Sequence, residues 1–196
     1  MQRTALRAVA DAETVRRRRE ELAMESDTRV VTLKRNFILQ QGLSEQSAAS
    51  CSGQYSALLF QPRVVGLVVL VAVLLQESWV FLALAGILWW SALVPRLNPF
   101  DALYNRTLAV RPGGIALPPA PPPRRFSQGM AGTFMLGIGI SLALGWHATA
   151  LVLEGLLIVA LAALVFGGFC VGSFIFHLLS GRATFARRTL PWARGA

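Results

Sequence analysis

Glu154 is the first residue that could do chemistry, because it is the acidic residue that lies well inside a long apolar run. Charged side chains are costly in a membrane interior, so a residue of this kind is a functional candidate. Its carboxyl could be protonated, could pair with His147 seven residues earlier on the same helical face, or could reach interfacial water. Two roles follow from these alternatives: a structural or interfacial carboxyl, or part of a proton or solute pathway.

Cys170, Ser173 and His177 form a second candidate group, spaced three and four residues apart on one helical face. An imidazole close to a cysteine can activate the thiol as a thiolate. On a continuous helix, however, the rise of about 1.5 Å per residue separates Cys170 from His177 by roughly 10 Å. The spacing therefore favours a buried cysteine that packs beside glycines over a catalytic pair.

Other catalytic and ligand-binding patterns are missing from the sequence. It has no phosphate-binding loop, dinucleotide fingerprint, hydrolase elbow or zinc-protease motif. His147 and His177 fall at opposite ends of one apolar run, and no dense Cys/His cluster exists. We therefore expect no enzymatic activity, no cofactor and no metal ion.

The composition shows which elements must position these residues. The chain has 196 residues, of which 54% are hydrophobic and only 15% are charged. This balance is typical of an integral membrane protein rather than a soluble domain. Nearly all the long apolar runs lie at 64–75, 79–94, 130–146 and 148–179.

The placement of positive charge predicts an orientation. All 19 Lys and Arg residues lie before the first apolar run, between the second and third, or after the fourth. The positive-inside rule then puts both termini and the central loop on the cytoplasmic side. We interpret the net charge of +9 as a topology signal and, secondarily, as attraction to anionic lipid, so no nucleic acid is expected. Two cysteines on the reducing side argue against a structural disulfide.

These features predict an all-α membrane protein with two antiparallel transmembrane helical hairpins, four helices in all, joined by a cytoplasmic loop. The expected helices span 62–77, 78–94, 127–145 and 148–179, with a linker at 95–126. At about 24 Å, the first two are shorter than a hydrocarbon core of about 30 Å. The first hairpin could therefore span a thinned bilayer or re-enter without crossing.

The fourth apolar run is too long for one straight crossing, since an unbroken helix would measure about 48 Å. Gly167-Gly168 offers a place to bend. We expect the part around His177 to kink toward the interface or to protrude.

The linker should contain a short helix, because Asn98 can cap it, Pro99 suits its first position and Asp101 suits its positive end. Its apolar side chains fall on one face, which predicts a helix lying flat at the interface: Phe100, Leu103, Tyr104 and Leu108. The proline-rich residues 118–123 predict an extended spacer.

The third helix carries small residues at every fourth position. In lipid such residues let helix backbones approach closely, so this stripe predicts a helix-packing face. Its members are Gly129, Thr133, Gly137, Ser141 and Gly145.

The polar segments outside the apolar runs give no sign of a fold. We expect residues 1–57 to be a basic, disordered region, in which 16–21 could alternatively form a solvated helix, and 182–196 to be a basic tail. Met24 is a possible alternative start of translation.

Three strings of residues suggest a relationship to a known family: Val94-Pro95-Arg96-Leu97-Asn98-Pro99-Phe100-Asp101, Arg125-Phe126-Ser127-Gln128-Gly129 and Gly168-Phe169-Cys170-Val171-Gly172-Ser173. Over about residues 58–181 the chain resembles the bacterial membrane family called domain of unknown function 4395. The resemblance implies a small four-helix membrane protein without an assigned activity. The resemblance implies that many members carry a second cysteine at the position of Ser173, which would complete a Cys-x-x-Cys pair. A dithiol role would therefore lack its second thiol in this chain.

The leading hypothesis is a non-enzymatic membrane subunit or scaffold in the bacterial cytoplasmic membrane. The expected partners are the lipid bilayer and either other membrane proteins or further copies of the chain. Two alternatives remain: a thiol-linked redox component that uses Cys170, and a small-solute or proton carrier that uses Glu154.

Overall fold

The computed structural model describes residues 2–44, 48–112 and 114–193, which form helices and connecting turns without any β-strand. Within these described residues, nine α-helices follow one another. They are α1 (Gln2–Gln40), α2 (Ala48–Leu58), α3 (Phe60–Leu75), α4 (Ser78–Leu93), α5 (Pro99–Thr107), α6 (Pro122–Ala143), α7 (His147–Val165), α8 (Val171–Leu179) and α9 (Ala183–Arg188). A short 3-10 turn, Pro95–Leu97, links α4 to α5.

Three helical stretches among the described residues are long and apolar enough to cross a membrane, which indicates a membrane protein. They are Cys51–Leu75, Pro122–Ala143 and His147–Val165. The fourth apolar helix, Ser78–Leu93, has only 16 residues. The all-helical character of the fold is therefore as predicted.

The first of these stretches begins earlier than the predicted helix at residue 62. It runs from Cys51 through α2 and α3, with a break at Leu59. The break has a local cause, since Pro62 has no N–H with which to bond the carbonyl four residues before it. The added length makes this first helical stretch long enough to cross the hydrocarbon core, which the predicted helix was not.

The apolar halves of α3, α4, α6 and α7 enclose the main core. Helix α6 is central, since it packs against α4, α7 and α8. Its buried side chains Met135 and Ile138 meet Phe81 and Leu88 of α4 and Val69 of α3.

The closest approach of α6 to α4 occurs at two glycines outside the predicted stripe. A Cβ on Gly132 would lie 2.9 Å from Cδ1 of Trp89, and one on Gly139 would lie 2.8 Å from the Leu82 side chain. These glycines are seven residues apart, a spacing that drifts by only about 20° around a helix. Both glycines therefore stay on the face that meets α4.

The predicted stripe does not stay on one face, because four-residue steps rotate by about 40° each. Gly129 faces α4, whereas a Cβ on Gly137 would lie 3.3 Å from Cδ1 of Leu153 on α7. Ser141 is buried, but Thr133 and Gly145 lie on the surface. The single packing face was therefore a wrong prediction for this set.

The described residues of the region 1–57, for which disorder was predicted, form two helices. They are α1, of which residues 16–31 are exposed, and most of α2. The end of α1 is buried at Asn36, Phe37, Ile38 and Gln40. Disorder was predicted from average polarity, but these few residues close a second core with Leu58, Leu59, Tyr104 and Leu117.

The predicted fourth helix is broken rather than bent. Helix α7 ends at Val165, Gly168 adopts φ +59°, and Cys170 precedes α8 as its N-cap. Glycine suits this turn because other residues rarely adopt such a φ. The break also changes the position of His177, which is buried instead of protruding.

The linker helix α5 begins as predicted, but its inward face differs from the predicted apolar face. The Asn98 side chain caps it by accepting from the backbone N–H of Phe100 at 3.0 Å. However, Asp101 and Tyr104 are buried, while Leu103 is 51% exposed. Helix α5 therefore turns the Asp101 carboxylate inward, because the Arg124 guanidinium lies there. The proline segment is extended only to Pro121, and α6 begins at Pro122 rather than at 127.

The basic tail is partly folded too. Helix α9 packs against α8 and buries Ala186, and Thr189 behind it is also buried. The Asn36 amide of α1 donates to the carbonyl of Leu190 at 3.3 Å. Residues 194–196 of the predicted tail lie outside the described residues.

Candidate functional site

An ion pair buried at the basic end of the helices is the centre of the candidate site. The Arg124 guanidinium, in the first turn of α6, donates to both carboxylate oxygens of Asp101 on α5, at 3.0 and 2.6 Å. Each residue is only 6% exposed. A bidentate arrangement of this kind is strong and fixes the relative orientation of two planar groups.

Three amides complete the shell around this pair. Gln61 of α3 accepts through Oε1 from Arg124 at 3.1 Å and from Gln128 Nε2 at 2.8 Å. The Asn98 amide donates to Asp101 Oδ2 at 3.1 Å. Buried charges are tolerated when their remaining donors and acceptors are satisfied in this way. We call these five residues the basic-end network.

The basic-end network lies where the two cores meet. Along α3, Gln61 falls between Leu59 of the second core and Val65 of the main core. The network therefore ties α3, α5 and α6 together between two apolar layers.

A cavity of about 90 Å³ adjoins the basic-end network. Its polar wall is formed by Gln61, Arg124, Ser127, Gln128 and Cys170, and the rest is largely apolar. Gln128 is buried, and its Oε1 has no hydrogen-bond partner among the residues that the structure describes. The volume exceeds the roughly 10–15 Å³ that one water needs, so the cavity can hold water or a small molecule that donates to this oxygen.

Cys170, which lines this cavity, and Ser173 both contact Ser127 of α6. The Cys170 thiol donates to Ser127 Oγ at 3.3 Å, and the hydroxyls of Ser127 and Ser173 lie 2.9 Å apart. Gly172 allows this approach, because a Cβ there would lie 2.8 Å from Cα of Ser127. The structure thus brings two of the predicted site residues together.

His177 is not joined to them directly. Its Nε2 lies 3.0 Å from the backbone oxygen of Gln40, and its ring packs edge-on against Phe185. The Gln40 side chain in turn accepts from the backbone N–H of Cys170 at 2.9 Å. Gln40 of α1 therefore contacts both residues, and no bond joins the thiol to the imidazole.

Glu154 lies at the opposite end of the helices, far along α7 from the cavity. It is 2% exposed, and both carboxylate oxygens are 3.2 Å from Gln76 Nε2. Gln76 can reach it because the left-handed φ of +53° at this residue ends α3 and turns the chain. His147 is exposed, so the pairing with His147 was a wrong alternative.

Sequence reasoning missed the basic-end network and Ser127. The available signals were weak: Gln61 just before an apolar run, and Arg124 and Gln128 one turn apart at the start of α6. In the sequence, Arg124 counts only as one of the positive charges that predict the orientation in the membrane.

The three strings that suggested a family converge on this site. Residues 94–101 supply Asn98 and Asp101, residues 125–129 supply Ser127 and Gln128, and residues 168–173 supply Cys170 and Ser173. The cavity lies between the last two strings and Gln61.

Comparison with known proteins identifies a family. The model of the family described as Domain of unknown function (DUF4395) matches residues 56–180, more than half of the chain. No curated protein and no solved structure matches significantly. The matched range contains the basic-end network, the cavity cysteine and Glu154, but excludes α1. The chain belongs to the family Domain of unknown function (DUF4395).

Proposed function

We propose that this chain is a non-enzymatic membrane subunit that holds a helix of another membrane protein against its N-terminal helix. The observation that carries the proposal is the exposed part of α1, which extends away from the buried end at residues 36–40. We call residues 13–31 the α1 arm. A helix of this length has little stability alone in water unless another helix covers its apolar side.

The apolar side of the α1 arm continues the side that already packs. Leu22 and Val30 share a helical face with Leu33 and Phe37, by steps of eight, three and four residues. Leu33 packs at Gly168, where an added Cβ would lie 2.6 Å from its Cδ2, and Phe37 packs edge-on against Tyr55. The exposed residues Leu22 and Val30 extend this contact surface beyond the folded domain.

Charged side chains form ion pairs along the α1 arm. Arg16 pairs with Glu20 at 2.9 Å and Arg29 pairs with Glu25 at 2.6 Å, each one turn apart. Such pairs support a solvated helix while leaving its apolar stripe available. This pattern suits a helix that docks one face and keeps the others in water.

Photo-crosslinking in native membranes tests the docking face. Leu22 and Met24 are a matched pair, since they are 64% and 68% exposed and point about 160° apart. A photoreactive residue at Leu22 should give a protein adduct, and one at Met24 should not. Equal adducts at both positions, or lipid adducts alone, would contradict the proposal. An adduct of twice the chain mass would mean that the partner is a second copy of this chain rather than another protein.

The proposed subunit has two transmembrane hairpins, α3–α4 and α6–α7, with both termini on the cytoplasmic side of a bacterial inner membrane. Support comes from the basic residues, because Arg63 and Arg125 lie in the first turns of α3 and α6, and Arg96 follows the end of α4. Cys51 and Cys170 are buried and make poor labelling sites. Single cysteines at Ser180 and Trp146, in a chain without the native ones, should label from the inside and the outside respectively.

Thiol chemistry at Cys170 is a second candidate function, favoured by its place on the cavity wall. Its thiol donates to Ser127, and the residue precedes α8 as its N-cap. Cys170→Ala should then change thiol-oxidation phenotypes in cells, whereas Ser173→Ala should not. Unchanged phenotypes would leave the subunit proposal standing.

Transport through Glu154 stays a prediction. Glu154 is buried and bonded to one neutral amide, which is compatible with a carboxyl that exchanges a proton. Flux into liposomes should fall in Glu154→Gln if the carboxyl takes part.

A further inference from the structure

A groove on the outer surface of the helices lies between α4 and α6. Its volume is about 480 Å³, within the roughly 300–1,000 Å³ range of small-molecule sites. Trp89 and Phe134 form its sides, Gly129 and Thr133 form its floor, and Arg125 stands at its end. Gly129 and Thr133 belong to the stripe that was expected to pack against a helix.

Arg125 differs from its neighbour Arg124 in having no carboxylate partner within the described residues. Its Nε donates to the carbonyl of Ala92 at 2.7 Å, which fixes the guanidinium beside the end of α4. The two terminal nitrogens stay available for a ligand. A guanidinium held in this way suits a phosphate, which it can bind through two parallel hydrogen bonds.

The depth of the groove fits a molecule with a charged head and an apolar chain. Arg125 lies in the first turn of α6, at the basic end, where the headgroups of a membrane would be. Gly129 and Thr133 follow at one and two turns, which places the groove floor about 6 to 12 Å deeper along α6. Trp89, with an apolar ring and one polar N–H, suits the boundary between these zones.

Gly129 keeps the groove open. A Cβ at this position would only touch Ala92 and Trp89, each at 3.9 Å, so the floor is not closed by a neighbouring backbone. A larger side chain there would occupy the space of the apolar chain.

We propose that this groove binds an anionic phospholipid of the surrounding membrane, with the phosphate on Arg125 and one acyl chain along Gly129 and Thr133. The site is independent of the α1 arm and of the cavity at Cys170. An anionic headgroup is favoured because Arg125 places a positive charge at the end of the groove, and the described residues that line the groove include no acidic side chain.

Native mass spectrometry of the full chain, titrated with phosphatidylglycerol or phosphatidylcholine of equal chain length, tests this site. The wild-type chain should prefer phosphatidylglycerol, and Arg125→Gln should bind it about tenfold more weakly. Arg96→Gln is the matched charge control and should keep the preference. Equal binding of both lipids, or equal losses in the two arginine variants, would overturn the proposal.

The acyl part of the site has its own variants. Gly129→Leu should weaken both lipids, whereas Gly86→Leu, on an open surface of α4, should not. Because Gly129→Leu could disturb the approach of α4, Thr133→Trp serves as a second filling variant from an exposed position. Unchanged binding in Thr133→Trp, with its thermal unfolding also unchanged, would overturn the acyl position.

Discussion

Two buried carboxylates, one at each end of the helices, are held in different ways. Asp101 at the basic end is 6% exposed and meets a guanidinium and the Asn98 amide. Glu154 at the opposite end is 2% exposed, and its one hydrogen-bond partner within the described residues is the amide of Gln76. Both are deeply buried, but only Asp101 has a charge of opposite sign beside it.

The difference separates a structural role from a candidate functional one. A paired and fully hydrogen-bonded charge is costly to disrupt, since removing one partner leaves the other buried and unpaired. A carboxyl that faces a neutral donor has no buried cation to leave unpaired when it is replaced. We therefore expect charge-removing substitutions to cost much more stability at the basic end than at the opposite end.

Arg124→Gln should have the largest effect. It leaves Asp101 buried without its cation, so the free energy of unfolding should fall by about 3–5 kcal/mol. Denaturant titration in detergent micelles measures this. Arg106→Gln, an exposed arginine on α5, is the control and should change little. Adding Asp101→Asn to Arg124→Gln should recover part of the loss, and a further loss instead would contradict the account of the pair.

Gln76→Asn should have an intermediate effect. Asparagine adopts the left-handed conformation of residue 76 readily, but its shorter amide gives up the bonds to Glu154. The expected cost is about 1–2 kcal/mol in the same titration. In a Glu154→Leu background this cost should disappear, and its persistence would show that Gln76 acts only through the turn.

Glu154→Gln should have a smaller effect, within about 1 kcal/mol of the wild type, because an amide oxygen still accepts from Gln76 and no buried cation is left alone. Asp101→Asn is the matched comparison and should cost several times more. Similar losses in the two variants would remove the distinction between the ends.

Arg29→Ala should have the smallest effect. Its pair with Glu25 lies on the α1 arm, with both side chains more than half exposed, and such pairs contribute about 0.5 kcal/mol or less. Unfolding of the helical domain should be unchanged. A large loss would mean that the α1 arm packs onto the domain.

Several features followed from local sequence. Asn98, Pro99 and Asp101 marked the start of α5 correctly, because capping depends on neighbours within one turn. Gly167-Gly168 marked the interruption of the last apolar run, although the structure shows a full break there. The apolar runs predicted helices, because hydrophobicity over about 20 residues is a property of the segment itself.

Less of the candidate site could be predicted from the sequence. Cys170 and Ser173 were chosen by spacing, but their partner Ser127 is 46 residues from Ser173 along the chain. The burial of Phe37 and Gln40 was equally hidden, since α1 is polar on average and these buried residues lie in its last turns.

The sequence by itself determined an all-helical membrane protein with its cations at the helix ends, because these properties depend on composition and short-range order. Only the tertiary structure decided which polar groups meet. Arg124 finds Asp101 at 23 residues and Gln61 at 63, whereas Arg125 finds neither and faces a groove. Adjacent arginines with the same sequence signal thus acquire different roles, since burial and partners depend on how α3, α4, α5 and α6 pack.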